Sequence, residues 1–273
     1  MVVFPAAKIN LGLYVTGRRE DGYHNIETLF YPIGFSDILE VVPASGRAEG
    51  NIDLILSGIP VEGSPDTNLV VRAYRLLNEK VGLPSVQAYL HKCIPTGSGL
   101  GGGSADGASM LKVLTRLFGL EIPAAEIFSL ALELGSDCPL LLDPQPAFAL
   151  GRGELLEAAS ISLNGYYLLL FHPGTGISTG EAYKHVQIGN PAVSVKQSEE
   201  IPIPGWREAV KNVFEPFAFE QQPLIKEIRN RLYECGAVYA SMTGSGSAVY
   251  GLFDHETEIP ADLMAWFIWK ERL

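Results

Sequence analysis

The most informative stretch of the chain is a glycine-rich segment, Pro95-Thr96-Gly97-Ser98-Gly99-Leu100-Gly101-Gly102-Gly103-Ser104, in which five of ten residues are glycine. Glycine loses more conformational entropy on ordering than any other residue, so this density needs a physical reason. The segment lies between a predicted strand over 86–94 and a predicted helix over 105–117. Main-chain N–H groups without side chains around them can surround phosphate oxygens, and the following helix directs the positive end of its dipole there. The segment is therefore interpreted as a phosphate-binding loop, with a plain surface turn as the alternative.

The spacing within the segment separates the known kinds of phosphate loop. No Gly-Lys-Ser/Thr closes it, so it is not a Walker A loop. Gly97, Gly99 and Gly102 satisfy G-x-G-x-x-G, and Glu121 follows at roughly the distance of a dinucleotide fingerprint. Glu121 stands in Gly-Leu-Glu-Ile-Pro, which is too short and interrupted for a second parallel strand. A dinucleotide-binding fold is therefore the weaker alternative.

Hydrophobic periodicity outward from the loop predicts an α+β protein. Strands are predicted over 8–16, 24–33, 37–42, 52–56, 86–94, 147–150, 166–171, 238–242 and 248–253. Helices are predicted over 69–81, 105–117, 124–134, 181–185, 206–214 and 224–233, whereas 263–269 fits a strand or a helix. Strands and helices do not alternate regularly, which favours two α+β lobes, 1–150 and 151–273.

Composition limits the class of partner. With 20 Lys and Arg against 31 Asp and Glu, the net charge is −11, which disfavours nucleic acid and anionic membrane surfaces. The three cysteines form neither a disulfide framework nor a metal-binding pair, and they indicate a reducing compartment. No apolar run approaches the roughly 20 residues of a membrane span, and the first ten residues lack the layout of a signal peptide. We expect a cytoplasmic protein with small-molecule substrates, no nucleic-acid partner and no membrane partner; its oligomeric state stays open.

Three segments together resemble one enzyme family. The pattern P-x-x-x-G-L-G-G-G-S at 95–104 resembles the second motif of the GHMP small-molecule kinases, Pro-Ala-Ala-Lys-Ile-Asn-Leu-Gly-Leu at 5–13 the first, and Met-Thr-Gly-Ser-Gly-Ser-Ala at 242–248 the third. The three occur in the family's order. The resemblance implies an N-terminal lobe like ribosomal protein S5, a ferredoxin-like C-terminal lobe, and ATP-dependent phosphorylation of a small alcohol.

Further segments are similar to one branch of that family. They are 7–11, 16–24, 68–73 and 134–139, and the discriminating one is R-x-D-G-Y-H at 19–24. Members of this branch phosphorylate a hydroxyl of a cytidine-diphosphate-linked polyol in the non-mevalonate isoprenoid pathway. Two alternatives stay open: a GHMP kinase with another acceptor, such as homoserine or phosphomevalonate, and a catalytically idle GHMP-like regulator that only binds ligands.

The resemblance assigns catalysis to Asp137 and Lys8. Phosphoryl transfer needs a positioned hydroxyl, neutralised charge and help in removing the hydroxyl proton. A carboxylate can accept that proton, and a neighbouring ammonium stabilises the transferring phosphoryl group. From the residues alone, Asp137 fits a turn-forming aspartate after a helix, and Lys8 fits a solvated lysine at a strand edge.

The nucleotide is expected on the glycine-rich segment and on two residues outside it. Ser104 opens the following helix, where it can cap the helix or contact phosphate or magnesium. Asp106 lies in the predicted first turn, where a negative side chain suits the dipole, and it is expected to serve the nucleotide too. Asn68 is expected near the adenine, with a helix cap as the alternative. ATP is expected with Mg²⁺, to which no protein ligand is assigned.

Substrate binding is assigned to residues from all parts of the chain. The strand period places Asn10 on the same face as Lys8, where its amide can hold a hydroxyl. Tyr23 can stack on a pyrimidine, and His24 can hydrogen-bond to the edge of the base. The remaining residues assigned to the substrate are Thr179, Tyr183, Gly244 and Ser245. The alternatives are an ordinary polar contact within a strand for Asn10, packing for Tyr23 and His24, and a simple hairpin turn for Gly244.

Overall fold

A computed structural model describes residues 1–44, 50–189, 191 and 193–273. The strands of these residues are β1 (Val2–Val3), β2 (Ala6–Arg18), β3 (His24–Ser36), β4 (Ile38–Pro43), β5 (Ile52–Gly58), β6 (Val86–Lys92), β7 (Ala147–Gly151), β8 (Leu155–Ala158), β9 (Tyr167–Phe171), β10 (Tyr239–Met242), β11 (Val249–Phe253) and β12 (Phe267–Arg272). The helices are α1 (Leu69–Val81), α2 (Gly102–Leu117), α3 (Ala124–Leu134), α4 (Cys138–Leu142), α5 (Thr179–His185), α6 (Trp206–Ala209), α7 (Glu215–Gln221) and α8 (Pro223–Glu234). This mixture of strands and helices confirms the predicted α+β class.

The first of two compact units comprises Met1–Ala7, Gly34–Thr96 and Gly101–Pro144. Its sheet has the order β1-β4-β6-β5, in which β5 and β6 are parallel and the other pairs are antiparallel. Helices α1 to α4 belong to this unit, and the buried faces of the sheet and helices share one hydrophobic core. Gly107 allows α2 to pack closely on α1, because a Cβ there would lie 2.9 Å from the Cβ of Leu69 in α1.

The second unit comprises Lys8–Ile33, Gly97–Leu100 and Gln145–Leu273. It contains an antiparallel sheet of order β10-β11-β9-β12 and a second sheet of order β2-β3-β7-β8. Helices α5, α7 and α8 contribute to its core through residues such as Ala182, Ala218 and Ile228. The chain passes between the units several times, one passage being at Pro144 and Gln145. A single boundary near residue 150 stays a prediction.

Most predicted elements are present, and the exceptions have tertiary causes. The predicted helix over 206–214 is wrong beyond Ala209, because the next residues pair with Leu13 instead. The N–H of Leu13 donates to the carbonyl of Lys211 over 2.9 Å, and the N–H of Val213 donates to the carbonyl of Leu13 over 2.9 Å. Over 263–269 both expectations hold in part, because a 3-10 helix ends at Trp266 and β12 begins at Phe267.

The helix after the glycine-rich segment begins earlier than predicted. It starts at Gly102 rather than at residue 105, so Asp106 is its fifth residue and lies beyond the first turn. No helix within the described part of the chain combines the length and the apolar character that crossing a bilayer requires.

Candidate active site

The side chain of Lys8 is buried in the second unit and contacts two of the three motifs. Alternation along β2 places Lys8 and Asn10 on one face. The ammonium donates to the side-chain oxygen of Asn10 over 2.8 Å and to the carbonyl of Gly99 over 2.9 Å. It also lies 5.0 Å from the ring centroid of Phe30. Lys8 is only 3% exposed, so it is not the solvated edge lysine that its sequence position alone allows.

The amide of Asn10 joins β2 to the third motif. Its oxygen accepts the N–H of Gly244 over 2.9 Å and the hydroxyl of Thr243 over 3.2 Å, while its nitrogen donates to the hydroxyl of Thr28 over 2.8 Å. The carbonyl of Gly99 also accepts the hydroxyl of Thr243, over 3.2 Å. Asn10 therefore has its hydrogen-bonding capacity used by neighbouring protein groups, and it holds the first, second and third motifs together. Its predicted contact with the substrate stays a prediction.

The first half of the glycine-rich loop packs tightly inside the second unit. Gly99 has φ of +81°, and a Cβ there would collide with the carbonyl oxygen of Thr243. The N–H of Ala248 donates to the carbonyl of Ser98 over 2.9 Å. A Cβ on Gly176 would lie 3.2 Å from the carbonyl oxygen of Gly97. Two other loops therefore pack on this half of the segment, around 176 and 243–248.

The second half of the loop starts α2 in the first unit. Gly101 occupies the position before the helix with φ of +75°. Gly102 is buried, and a Cβ there would lie 2.7 Å from Cγ2 of Ile94. Gly103 is exposed, and outside its own helical backbone and chain neighbours no described atom lies within 4 Å of where its Cβ would be. The first turn of α2 thus presents main-chain N–H groups beside open space, which suits an anion.

Asp137 lies at the start of α4 in the same unit. It occupies the position before the helix and is partly buried. The next residue, Cys138, hydrogen-bonds through its thiol with the hydroxyl of Ser104 at the start of α2. Burial raises the pKa of Cys138 to about 11, with a further increase from the charge of Asp137, so the thiol stays neutral. The start of α4 is thereby connected to the start of α2.

Two predicted nucleotide residues have structural partners. The side-chain oxygen of Asn68 accepts the N–H of Val70 over 2.9 Å and caps α1, as its alternative interpretation expects. Asp106 is 2% exposed and forms an ion pair with Lys92 over 2.7 Å. Direct contact of either residue with a nucleotide stays a prediction.

Four of the predicted substrate residues form two side-chain pairs in the second unit, and Tyr23 contacts Arg152. The rings of His24 and Tyr183 stack with centroids 4.9 Å apart and planes 27° apart. The hydroxyls of Thr179 and Ser245 lie 3.0 Å apart. Tyr23 is 51% exposed, and the guanidinium of Arg152 lies 3.7 Å from its ring centroid. The stacked pair, the hydroxyl pair and the exposed ring are each suited to recognising a ligand with a planar base and polar groups.

Sequence reasoning did not single out several residues that shape the site. They are Thr28, Asp37, Lys92, Arg152 and Thr243. Thr243 lies within the third motif, so the motif itself was the signal that could have identified it. The others stand at ordinary strand or turn positions, and their partners are distant in sequence. Only the fold reveals them.

The described residues contain no group of three or more His, Cys, Asp or Glu side chains that could hold a metal ion. Mg²⁺ commonly binds through one or two carboxylates together with substrate phosphates and water.

Comparisons with known proteins show what the whole chain is similar to. The family model "GHMP kinases N terminal domain" matches residues 68–152, and "GHMP kinases C terminal" matches 198–266. The chain is 44% identical over 274 residues to a 4-diphosphocytidyl-2-C-methyl-D-erythritol kinase of Bacteroides fragilis, covering 100% of both chains. It is 44% identical to the protein of that name from Bacteroides thetaiotaomicron, over 95% of this chain and 94% of the relative. A crystal structure of 4-(cytidine 5'-diphospho)-2C-methyl-D-erythritol kinase superimposes with a TM-score of 0.78 at 34% identity, covering 99% of this chain and 98% of the other.

These matches confirm the resemblance that the three motifs carry, and with it the predicted ATP-dependent kinase activity and fold. Both halves of the family pattern are present in order, and the matches extend over 94% or more of the length of each relative. This chain belongs to the GHMP kinase family.

Proposed function

We propose that this kinase transfers the γ-phosphoryl group of ATP to a hydroxyl of 4-diphosphocytidyl-2-C-methyl-D-erythritol, giving the 2-phosphate and ADP for isoprenoid precursor synthesis. The choice of substrate rests on the 44% sequence identity, over 94% or more of their length, to relatives that are named for that substrate. The segment R-x-D-G-Y-H at 19–24 agrees with it, because it supplies the aromatic residues that a cytosine requires.

The triphosphate is assigned to the glycine-rich loop. The start of α2 supports this, because Gly103 leaves open space beside main-chain N–H groups that no side chain of the loop covers. These N–H groups and the helix dipole favour negative charge within the first turn. The net charge of −11 acts over longer distances and is screened within about 8–10 Å in physiological salt. The local site therefore outweighs the overall repulsion of an anion.

Lys8 is assigned the stabilisation of the transferring phosphoryl group. The ammonium donates to the Asn10 amide and to the Gly99 carbonyl. A buried ammonium attracts an anion strongly, because few water molecules screen it. The carbonyl of Gly99 holds this charge at the loop proposed for the triphosphate.

Asp137 is assigned the proton of the acceptor hydroxyl. Its carboxylate stands at the start of α4, beside the buried thiol of Cys138 that bonds to Ser104. A carboxylate at this position can accept or orient a hydroxyl proton as the oxygen attacks phosphorus. The proton passes from the hydroxyl to the carboxylate as the new O–P bond forms and the bond from the γ-phosphorus to the ADP oxygen breaks.

The cytosine of the acceptor is assigned to Tyr23, His24 and Tyr183. The stacked rings of His24 and Tyr183 offer a planar, partly polar surface, and the exposed ring of Tyr23 offers a second one. Thr179 and Ser245 are assigned hydrogen bonds to the substrate through their paired hydroxyls. Gly244 presents its main chain at the turn that Asn10 holds.

Mg²⁺ is proposed to arrive on the nucleotide. It would neutralise phosphate charge when bound, and the loop that holds the triphosphate would hold it as well. No protein ligand is assigned to it.

An acceptor panel tests the proposal. ADP release is measured with Mg-ATP and one acceptor at a time: 4-diphosphocytidyl-2-C-methyl-D-erythritol, homoserine, phosphomevalonate or none. We expect turnover only with the first, with a new phosphomonoester in the ³¹P spectrum of the product. Turnover with homoserine or phosphomevalonate instead would replace the acceptor but keep the kinase. Nucleotide binding without turnover on any acceptor would support a ligand-binding regulator.

A further inference from the structure

A buried cluster of three charged side chains lies under the glycine-rich loop in the first unit. Lys92 is the last residue of β6, Asp37 stands between β3 and β4, and Asp106 is the fifth residue of α2. The ammonium of Lys92 forms ion pairs with the carboxylates of Asp37 and, over 2.7 Å, of Asp106. All three side chains are 4% exposed or less. We call Lys92, Asp37 and Asp106 the ion cluster.

The ion cluster fixes the chain on both sides of the loop. Asp37 accepts the main-chain N–H groups of Cys93 over 2.6 Å and Ile94 over 2.9 Å, so it holds the backbone that enters the loop. Asp106 holds α2, into which the loop runs. Lys92 bonds to both carboxylates and thus joins the entry of the loop to its exit.

The contact between Gly102 and Ile94 is part of the same arrangement. A Cβ on Gly102 would lie 2.7 Å from Ile94 and 3.4 Å from a carboxylate oxygen of Asp37. The start of α2 therefore packs directly on the chain that enters the loop. A small displacement of either side would move the N–H groups at 102–104 together.

Filling a core with such a cluster is energetically unfavourable. Burying ions costs several kcal/mol for each, and apolar replacements of similar volume are often neutral or stabilising. Here one ammonium faces two carboxylates, and burial together with the charge of Asp37 raises the pKa of Asp106 to about 7, against the opposing effect of Lys92. The surrounding core of the unit is apolar and well supplied with aliphatic residues. Filling space does not explain these residues.

The glycine loop supplies the missing reason. Its five glycines have no side chains that could hold the loop in one conformation, and glycine is the residue that loses most entropy on ordering. A loop that is already ordered binds its ligand more tightly, because less ordering remains to be done on binding. Ion pairs have directional geometry, so they can fix the position of α2 relative to β6 more narrowly than aliphatic contacts do.

We propose that the ion cluster positions the entry and exit of the glycine loop for the triphosphate of ATP, so that Lys92, Asp37 and Asp106 are positioning residues of the nucleotide site. The proposal rests on the placement of the triphosphate in that loop under the proposed function. Asp106 then acts on the nucleotide through the backbone of α2 rather than by touching it.

The key variant is Asp106→Leu, which removes the link to α2 but leaves Lys92 paired with one carboxylate. Asp106→Asn is its conservative counterpart, because the amide oxygen can still accept from Lys92. The exposed pair Lys80 and Glu126 of the same unit, 2.7 Å apart, provides a control as Lys80→Met with Glu126→Gln. Each full-length protein is titrated with the non-hydrolysable analogue AMPPNP and Mg²⁺ by calorimetry, and KM for the acceptor is measured alongside.

We expect Asp106→Leu to weaken AMPPNP binding about tenfold or more, since small displacements of binding groups carry large penalties. Asp106→Asn and the control pair should stay within about threefold of the wild type, and KM for the acceptor should not change. If Asp106→Leu does not fold, Asp106→Ser takes its place with the same expectation. A folded Leu or Ser variant with wild-type AMPPNP affinity would overturn the positioning role. Failure of the wild type itself to bind AMPPNP would instead remove the proposed function.

Discussion

The ammonium of Lys8 lies 2.8 Å from the side-chain oxygen of Asn10, and that same oxygen accepts the N–H of Gly244 over 2.9 Å. One amide thus serves two segments that are more than 230 residues apart in the chain. The carbonyl of Gly99 accepts from Lys8 as well, which brings the second motif to the same point. The three motifs of the family therefore meet around Lys8 and Asn10 in the second unit.

Replacing Lys8 by methionine should lower kcat about 10²–10³-fold, the usual cost of losing one charge-stabilising donor in a transition state. Methionine has a similar length and suits a 3% exposed position, so the fold should persist. Steady-state ADP release gives kcat, and circular dichroism reports folding. Lys196→Met, at an exposed pair with Glu157 in the same unit, is the control. A kcat within threefold of the wild type would remove Lys8 from the catalytic assignment.

Replacing Asp137 by alanine should lower kcat about 10²–10⁴-fold, which is the usual worth of general-base assistance. Asp143, exposed at the other end of α4, provides a matched control as Asp143→Ala. The same ADP-release assay measures both variants at saturating ATP and acceptor. A folded Asp137→Ala enzyme with full rate would contradict the assignment of the proton to this carboxylate.

Periodicity predicted most elements because their faces are buried against one core, whereas residues whose partners are distant stayed hidden. Helix α3 was predicted at its observed bounds, 124–134. The missed break after Ala209 arises from pairing with Leu13, which no local pattern encodes. Gly107, which the sequence alone leaves unexplained, is required by the close approach of Leu69.

The candidate site likewise contains residues that the sequence motifs predicted and residues that they did not. Motif resemblance brought Lys8, Asn10, Gly99 and Gly244 into one hypothesis, and the structure brings them together. The burial of Asp106 could not be foreseen, because its partner Lys92 belongs to a strand on the other side of the loop.

Replacement by alanine should affect the free energy of unfolding differently at two glycines of the loop. Gly99→Ala should destabilise the protein by at least about 2 kcal/mol, because φ is +81° and the methyl would collide with the carbonyl of Thr243. Gly103→Ala should leave stability unchanged or raised by up to about 1 kcal/mol, since alanine favours helix. It should nevertheless weaken AMPPNP binding about tenfold, because the methyl occupies the space proposed for phosphate. Urea denaturation and calorimetry measure the two effects. Unchanged AMPPNP affinity in Gly103→Ala would place the phosphates elsewhere.

The stacked pair of His24 and Tyr183 should determine affinity for the base. Tyr183→Ala removes the ring that stacks on His24 at 4.9 Å and should raise Kd for CDP about tenfold or more, as stacking contributes about 1–3 kcal/mol per base. Tyr183→Phe keeps the ring and is the matched control. AMPPNP affinity should be the same in all three proteins. Equal CDP affinity in the alanine and wild-type proteins would separate this pair from cytosine recognition.

Stability should depend on pH through Asp106 in the direction opposite to that of an ordinary ion-paired carboxylate. An aspartate in the unfolded chain has a pKa of about 3.9, whereas burial raises the pKa of Asp106 in the folded protein to about 7, with Asp37 adding to this and Lys92 opposing it. Between these values the folded state keeps a proton that the unfolded chain has lost, so a rise in pH through this window lowers the free energy of unfolding. The contribution is fully present below about pH 4 and is lost as the pH approaches 7.

Asp106→Asn cannot titrate, and its amide resembles the protonated carboxyl. The difference in free energy of unfolding, wild type minus Asp106→Asn, should therefore fall from pH 4 to 7 and level off above, as measured by urea denaturation at each pH. A constant difference for Asp106→Asn would mean that this carboxyl is ionised throughout.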